Sequence, residues 1–254
     1  MINAAAKVGG IHANNTQRVD FILENLKINM NILESCIFDN QIKIINLGSS
    51  CIYPLEAKNP IHENSIFDGK LEPTNSPYAV AKLSAIEIGN SLSQQYGHKV
   101  VNLMPTNLYG PKDNFNPLNS HVIPGLIFKF HEAKFEKKDI VEIWGDGTPL
   151  REFLYVDDFS DAIKFIIDNK ITDSLINVGS SNEVSIFDLA KMISKTVGFN
   201  GEIRFDTTKP NGNLRKLLDS SKINNHGWFP KTDLDEGLNK TYIWFSNNLS
   251  TLRN

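Results

Sequence analysis

IKIINLGSS, Ile42 to Ser50, is a short aliphatic, β-rich run that breaks at a glycine followed by two hydroxyl side chains. Such a run reads as a strand ending in a turn. Before it, FILENLKINMNILESCIF (Phe21 to Phe38) carries apolar residues at helical spacing, with Asp20 near its start. After it, Thr74 to Pro77 reads as a turn, Tyr78 to Tyr96 as a helix, and KVVNLMPTN (Lys99 to Asn107) as another buried strand. Helices separated by mostly apolar strands indicate an α/β fold, a parallel sheet with helices on its faces.

The pattern changes after Gly110. A Pro/Asn-rich loop, PKDNFNPLNS (Pro111 to Ser120), precedes a helix near Val122 to Lys134, and short strands follow at Val141 to Trp144 and Glu152 to Tyr155. Asp157 begins a helix to about Ile167, LINVG is another strand, and SIFDLAKMISKTVG (Ser185 to Gly198) has the cap and stop of a helix. A strand at Ile203 to Phe205 and a helix from about Asp233 complete the tail. We expect residues 1–110 to belong to a doubly wound sheet. Residues 111–254 form mainly a smaller mixed α/β subdomain, with returning segments at about 140–180 completing the main sheet.

Composition narrows the function classes. The 254 residues carry a formal charge of -3, with no charge block that would recruit nucleic acid or a membrane surface. Cys36 and Cys51 make neither a disulfide framework nor a zinc knuckle, and no metal site is expected. No apolar run reaches the length of a membrane span, and the start lacks a signal-peptide pattern. A reduced, cytoplasmic protein is the expectation.

Tyr78 and Lys82 are four apart and share one helix face. An ammonium beside a phenol favours the phenolate and brings it toward proton transfer; the alternative is a packed tyrosine with a snorkelling lysine. Ser49 and Ser50 stand at the carboxyl end of a strand, where open parallel sheets collect ligands, although two serines also simply cap turns. Cys51 is either a small buried hydrophobe or a thiol for moving a proton. His121 either caps a helix or transfers protons, and the other histidines (His12, His62, His98, His131, His226) carry no such reading.

LGSSCIYP (Leu47 to Pro54), EPTNSPYAVAK (Glu72 to Lys82), MPTNLYGPKDNFNPLNSHVIP (Met104 to Pro124) and WGDGTPLREFLYVDD (Trp144 to Asp158) resemble the GDP-L-fucose synthase family of the extended short-chain dehydrogenase/reductases. The opening AAAKVGGIHANN resembles it too. The resemblance implies a Rossmann-like NAD(P)-binding sheet. It also implies conversion of GDP-4-dehydro-6-deoxy-D-mannose to GDP-L-fucose, by epimerisation at C3 and C5 and NADPH reduction at C4. Ser49, Tyr78 and Lys82 would form the reductase triad, with Cys51 and His121 the epimerase base and acid. Leu47, Gly48, Ser49, Ser50, Lys82, Pro105, Thr106, Asn107, Leu108 and His121 would line the nicotinamide half of the cofactor. Lys129, Trp144, Arg151 and Asn211 would contact the GDP-sugar, and the protein would be a homodimer if the fold is complete. Two positions depart from the family: Lys129 stands where many members have arginine, losing the planar fork, and Asn211 replaces a common aspartate. Another nucleotide-sugar epimerase or reductase, or a noncatalytic nucleotide-sugar binding or assembly protein, is the competing reading.

No GxxGxxG fingerprint occurs, and the Gly9–Gly10 pair, wrongly spaced, is not expected to open a helix. The resemblance places the first residue at the fourth strand of the dinucleotide fold, about 60 residues into it. The sheet is then N-terminally incomplete, and the chain alone is expected to bind NADPH poorly and to aggregate readily.

Overall fold

The structure is a computed structural model that describes residues 1–117, 119–209 and 211–252. In chain order the strands are β1 (Ile2–Asn3), β2 (Ile44–Leu47), β3 (Val100–Pro105), β4 (Asn107–Tyr109), β5 (Ile140–Trp144), β6 (Leu150–Tyr155), β7 (Leu175–Val178), β8 (Glu183–Ser185), β9 (Glu202–Asp206) and β10 (Arg215–Lys216). The helices are α1 (Ile11–Thr16), α2 (Arg18–Ser35), α3 (Ser76–Tyr96), α4 (Val122–Phe135), α5 (Val156–Asp168), α6 (Ile186–Val197), α7 (Ser221–Asn225) and α8 (Leu234–Asn247).

The main sheet is parallel throughout, in the order β1-β2-β3-β7. Strands β2, β3 and β7 are largely buried on both faces, as helices on both sides require, while the edge strand β1 leaves Ile2 exposed. Ile44 and Val100 pack with Leu33 of α2 and Ala85 and Leu92 of α3. The alternate residues Ile45 and Val101 face the other way, onto Phe159, Ala162 and Ile166 of α5. One register holds polar side chains in this apolar layer: Asn3, Asn46 and Asn102 are cross-strand neighbours. Asn46 Nδ2 donates to Asn102 Oδ1 at 3.1 Å, and Asn3 Nδ2 donates to Asn46 Oδ1 at 3.3 Å and to Asn29 Oδ1 of α2 at 3.2 Å. Asn29 in turn donates to the carbonyl of Ala81 in α3. Buried amides persist where they bond one another.

The second half of the chain differs from expectation in one respect. Of the segment at about 140–180, only β7 joins the main sheet. β6 instead pairs with β4 and β10 in parallel and with β8 antiparallel, while β5 pairs with β9 in a two-stranded ribbon. The side chains of β6 explain its position: Leu154 enters the main-sheet core beside Phe159, whereas Phe153 and Tyr155 enter a second core with Phe130 of α4, Ile193 of α6 and Phe245 of α8. A strand feeding two cores lies between them.

A second correction concerns Gly9–Gly10. Gly10 is the N-cap of α1, so the pair does open a helix, of six residues. IHANNT has no apolar period to announce it; the turn is held instead by Asn14, whose Nδ2 donates to the carbonyls of Gly9 and Gly10.

Candidate functional site

The carboxyl ends of β2 and β3 carry the chemistry. Beyond Leu47 the chain leaves the sheet through Gly48, whose N–H donates to the Leu103 carbonyl at 2.8 Å, and turns at once into a short 3-10 turn, Ser50–Ile52. Ser49 caps that turn: its Oγ accepts the Cys51 N–H at 3.2 Å. The buried face of α3 lies alongside, and the helix starts with Ser76 and Pro77 in its first turn, where a missing N–H costs nothing. Tyr78 and Lys82, one turn apart, both meet this loop.

The Tyr78 phenol lies near enough to the Ser49 hydroxyl and the Cys51 thiol for both to act on its acidity. Lys82 Nζ is 5.8 Å from the Tyr78 ring centroid and donates to the Leu47 carbonyl at 2.8 Å. Ser49, Cys51, Tyr78 and Lys82 are thus brought together. The expected direction of the phenol's acidity is reversed, however: burial pushes the Tyr78 pKa well above its ordinary value, the negative charge Cys51 can carry adds to the rise, and the Ser49 hydroxyl only partly offsets it. At neutral pH Tyr78 is a protonated phenol, a donor. Burial also lowers Lys82, to about 8.

Thr106 and Asn107 follow the end of β3 and are both tied to the Glu152 carbonyl, through Thr106 Oγ1 at 3.1 Å and Asn107 Nδ2 at 2.8 Å. Pro105 and Leu108 flank them, Leu108 in register with Leu154. Ser50 is buried in the turn.

His121 comes from another element, as the exposed N-cap residue of α4. Among the described residues no side-chain hydrogen bond joins it to Ser49, Cys51, Tyr78 or Lys82. Its electrostatic neighbour is Asp113, whose carboxyl burial raises above the usual range while the Asn114 N–H and the imidazole oppose the rise. Asp113 was not singled out in the sequence. It lies eight residues before His121 in an irregular loop, and nothing in the spacing announces that the loop folds back.

The expected sugar contacts lie around β5 and β6. Trp144 ends β5 with 65% of its surface exposed, so it is no core tryptophan; Lys209 lies 5.7 Å from its ring. Arg151 donates to its own neighbour's carbonyl, Leu150, and meets no carboxylate among the described residues. Desolvation by its partial burial lowers its pKa. Lys129 is engaged by the Glu142 carbonyl. Asn211 is committed to the Gly145–Asp146 turn: its Oδ1 accepts the Asp146 N–H at 2.8 Å. Two open surface clefts, beside Asp161 and Trp228 and beside Lys134 and Phe199, hold none of these residues.

A sequence model of the NAD dependent epimerase/dehydratase family matches residues 1–179. The chain belongs to that family. Within the NAD dependent epimerase/dehydratases its similarities are specific. It is 49% identical over 249 residues to GDP-L-fucose synthase 1 of Arabidopsis thaliana, covering 98% of this chain and 77% of the relative. It is 46% identical over 259 residues to GDP-L-fucose synthase of Escherichia coli strain K12, covering 98% and 81%. Among solved structures, a GDP-L-fucose synthetase from Naegleria fowleri bound to NADP superposes with a TM-score of 0.90 at 30% identity, covering all of this chain and 78% of that one.

The family's cofactor is a nicotinamide dinucleotide, and one feature of this site fits its nicotinamide half. Lys82 is 3% exposed and carries three N–H donors, yet its only hydrogen-bond acceptor among the described residues is the Leu47 carbonyl. A buried ammonium with donors to spare suits ribose hydroxyls. Among the described residues no helix is long and apolar enough to cross a membrane, and no cluster of three metal-ligating side chains occurs.

Proposed function

We propose that this chain catalyses the NADPH-dependent 3,5-epimerisation and 4-reduction of GDP-4-dehydro-6-deoxy-D-mannose, giving GDP-L-fucose. The observation that carries the reading is the meeting of a thiol, a protonated phenol and a serine hydroxyl at the end of β2. A simple reductase needs the phenol and the hydroxyl; a thiol beside them supplies a base for carbon acids next to the ketone.

In this reading Ser49 and Tyr78 donate hydrogen bonds to the C4 keto oxygen, stabilising the charge that grows there during enolisation and again during reduction. Cys51, as thiolate, removes a proton from carbon beside the ketone, and His121 returns one to the opposite face, at C3 and C5 in turn. When bound, NADPH supplies the hydride that reduces C4. Tyr78 then delivers its phenolic proton to the oxygen, a role that suits a raised pKa. Lys82 holds the nicotinamide ribose with its spare N–H donors, beside the loop residues Leu47, Gly48, Ser50, Pro105, Thr106, Asn107 and Leu108.

The half-buried Arg151, which meets no carboxylate among the described residues, offers a bidentate fork to the diphosphate, and Trp144 offers an exposed flat face to the sugar or base. Lys129 and Asn211 border the same region, Asn211 by shaping the turn after Trp144. On this reading residues 1–110 mainly hold the cofactor and the second half mainly the sugar. A homodimer built on α2 and α3, which expose Val19, Leu23, Met30 and Val80, belongs to the same proposal.

The test is incubation with the keto-sugar in deuterated buffer, followed by mass spectrometry. The chain is expected to incorporate deuterium at C3 and C5 without NADPH, and Cys51→Ser to abolish that incorporation. Exchange that persists in Cys51→Ser, or is seen only with a UDP- or dTDP-sugar, would overturn the reading.

A further inference from the structure

The turn between β1 and α1 touches both halves of the proposed site. On one side, the Gly10 N–H donates to the Asn119 carbonyl at 3.0 Å, two residues before His121. The approach is close: a Cβ on Gly10 would stand 2.6 Å from the Ser120 carbonyl oxygen, well inside ordinary van der Waals contact. Gly10 has φ -67, a backbone any residue adopts, so the position demands glycine for space alone. On the other side, a Cβ on Gly9 would meet the Phe21 ring at 3.2 Å, and that ring meets Tyr78 edge-on with centroids 6.4 Å apart. Asn14, buried, fastens the turn through its bonds to the Gly9 and Gly10 carbonyls at 2.6 and 3.1 Å. The loop is pinned from α4 as well: a Cβ on Gly125 would lie 2.8 Å from Ser120 Oγ, and the Gly125 N–H donates to the His121 carbonyl.

We propose that the Gly9–Gly10 turn is a positioning element that fixes His121 relative to Tyr78, through backbone contact with Asn119–Ser120 on one side and Phe21 on the other. Its catalytic meaning rests on the reading of His121 as the epimerisation acid. Proton return to carbon needs the imidazole at one place above the sugar ring, whereas the phenol and Ser49 are held by α3 and the β2 loop and do not depend on this contact. A methyl group on Gly10 must displace the His121 loop, and a misplacement near 1 Å costs a positioned catalytic group on the order of 100-fold.

The experiment compares the unaltered chain with Gly10→Ala and Asn14→Ala. The His121 ring Hε1 signal is followed by NMR and assigned by its loss in His121→Gln. The signal is expected to move in both variants while circular dichroism stays unchanged. Inversion at C3 and C5 is expected to slow about 100-fold in Gly10→Ala. Reduction of the already epimerised ketone, assayed in any chain that reduces it, is expected to change little. A His121 signal that stays in place in folded Gly10→Ala overturns the proposal; if that variant does not fold, an unmoved signal in Asn14→Ala does so. Inversion at C3 and C5 that survives His121→Gln, or that the unaltered chain lacks, defeats the functional reading instead and leaves the NMR result to decide the positioning.

Discussion

Tyr78 and Lys82 show how far spacing reaches and where burial takes over. The four-residue interval puts both on one face of α3, as the sequence implies. The direction of the phenol's pKa is not written in that interval, because it is set by the low polarity around the ring. The lysine carries the larger energetic consequence. Its amine titrates at about 8 in the folded chain against an ordinary 10.5. Below about pH 8 both the folded and unfolded forms carry the proton, and burying the ammonium costs about 3 kcal/mol. Between about 8 and 10.5 the unfolded chain binds more protons than the folded one, so stability rises with pH across that window. Lys82→Met removes the penalty but forfeits the bond to Leu47, worth about 1 kcal/mol. The variant is therefore expected to be more stable than the unaltered chain by about 2 kcal/mol at pH 7. That advantage should disappear by pH 10.5, as read by urea unfolding at a series of pH values. A difference that does not vary with pH would show that Lys82 has the same pKa in the folded as in the unfolded chain. Tyr78→Phe leaves the packing against Phe21 and removes only the proton donor. Ketone reduction should drop by roughly 100- to 10,000-fold, while exchange at C3 and C5 falls less, since Ser49 still meets the oxygen.

Among elements, the asparagines of β1, β2 and β3 test whether a polar line through an apolar layer stabilises it or merely survives there. Asn46→Leu takes the donor from Asn102 Oδ1 and an acceptor from Asn3, leaving a buried oxygen short of a partner. We expect a loss of about 2 kcal/mol in urea unfolding, with a far smaller loss in Asn46→Leu/Asn102→Leu, where both partners are apolar. If the double variant loses as much as the sum of the two singles, the ladder is not the cause. Elements that stop themselves were legible in the sequence. Ser185 accepts the Asp188 N–H at 3.0 Å, Gly198 closes the same helix in the left-handed region, and Asp233 caps α8 by accepting the Glu236 N–H. Elements fixed by a neighbour were not: β8 and β10 are three and two residues long and exist because β6 offers them edges, and α1 and α7 lack an apolar period. The same division holds for the site. Ser49, Cys51, Tyr78 and Lys82 are close in sequence to the strand end and the helix that bring them together, whereas Asp113 and Gly10 matter through loops whose paths no local pattern records.

For the whole molecule, the question is what joins the main sheet to the second core, and Glu152 is where the connections meet. An acidic residue on an otherwise buried strand is the sequence signal that was available, and the structure shows no surface on it at all. Its Oε1 accepts the Ser181 N–H at 2.7 Å, its Oε2 accepts the Leu218 N–H at 3.1 Å, and its backbone carbonyl receives Thr106 and Asn107. The one residue therefore ties the β3–β4 junction, the turn after β7 and the end of β10 to β6. Burial drives its pKa up, and the N–H donors and the Thr106 hydroxyl pull it back. Glu152→Gln keeps the volume but replaces one acceptor oxygen with an NH2 that must face a backbone N–H, so one of the two contacts becomes repulsive. We expect a cost of about 2 kcal/mol in global stability. The weakening should be local: amide hydrogen exchange at Ser181 and Leu218 should accelerate well before that of Val101 and Leu103 inside the main sheet. A uniform acceleration across both sets would mean that the two cores unfold as one unit, and that Glu152 contributes to it no differently from any other buried side chain.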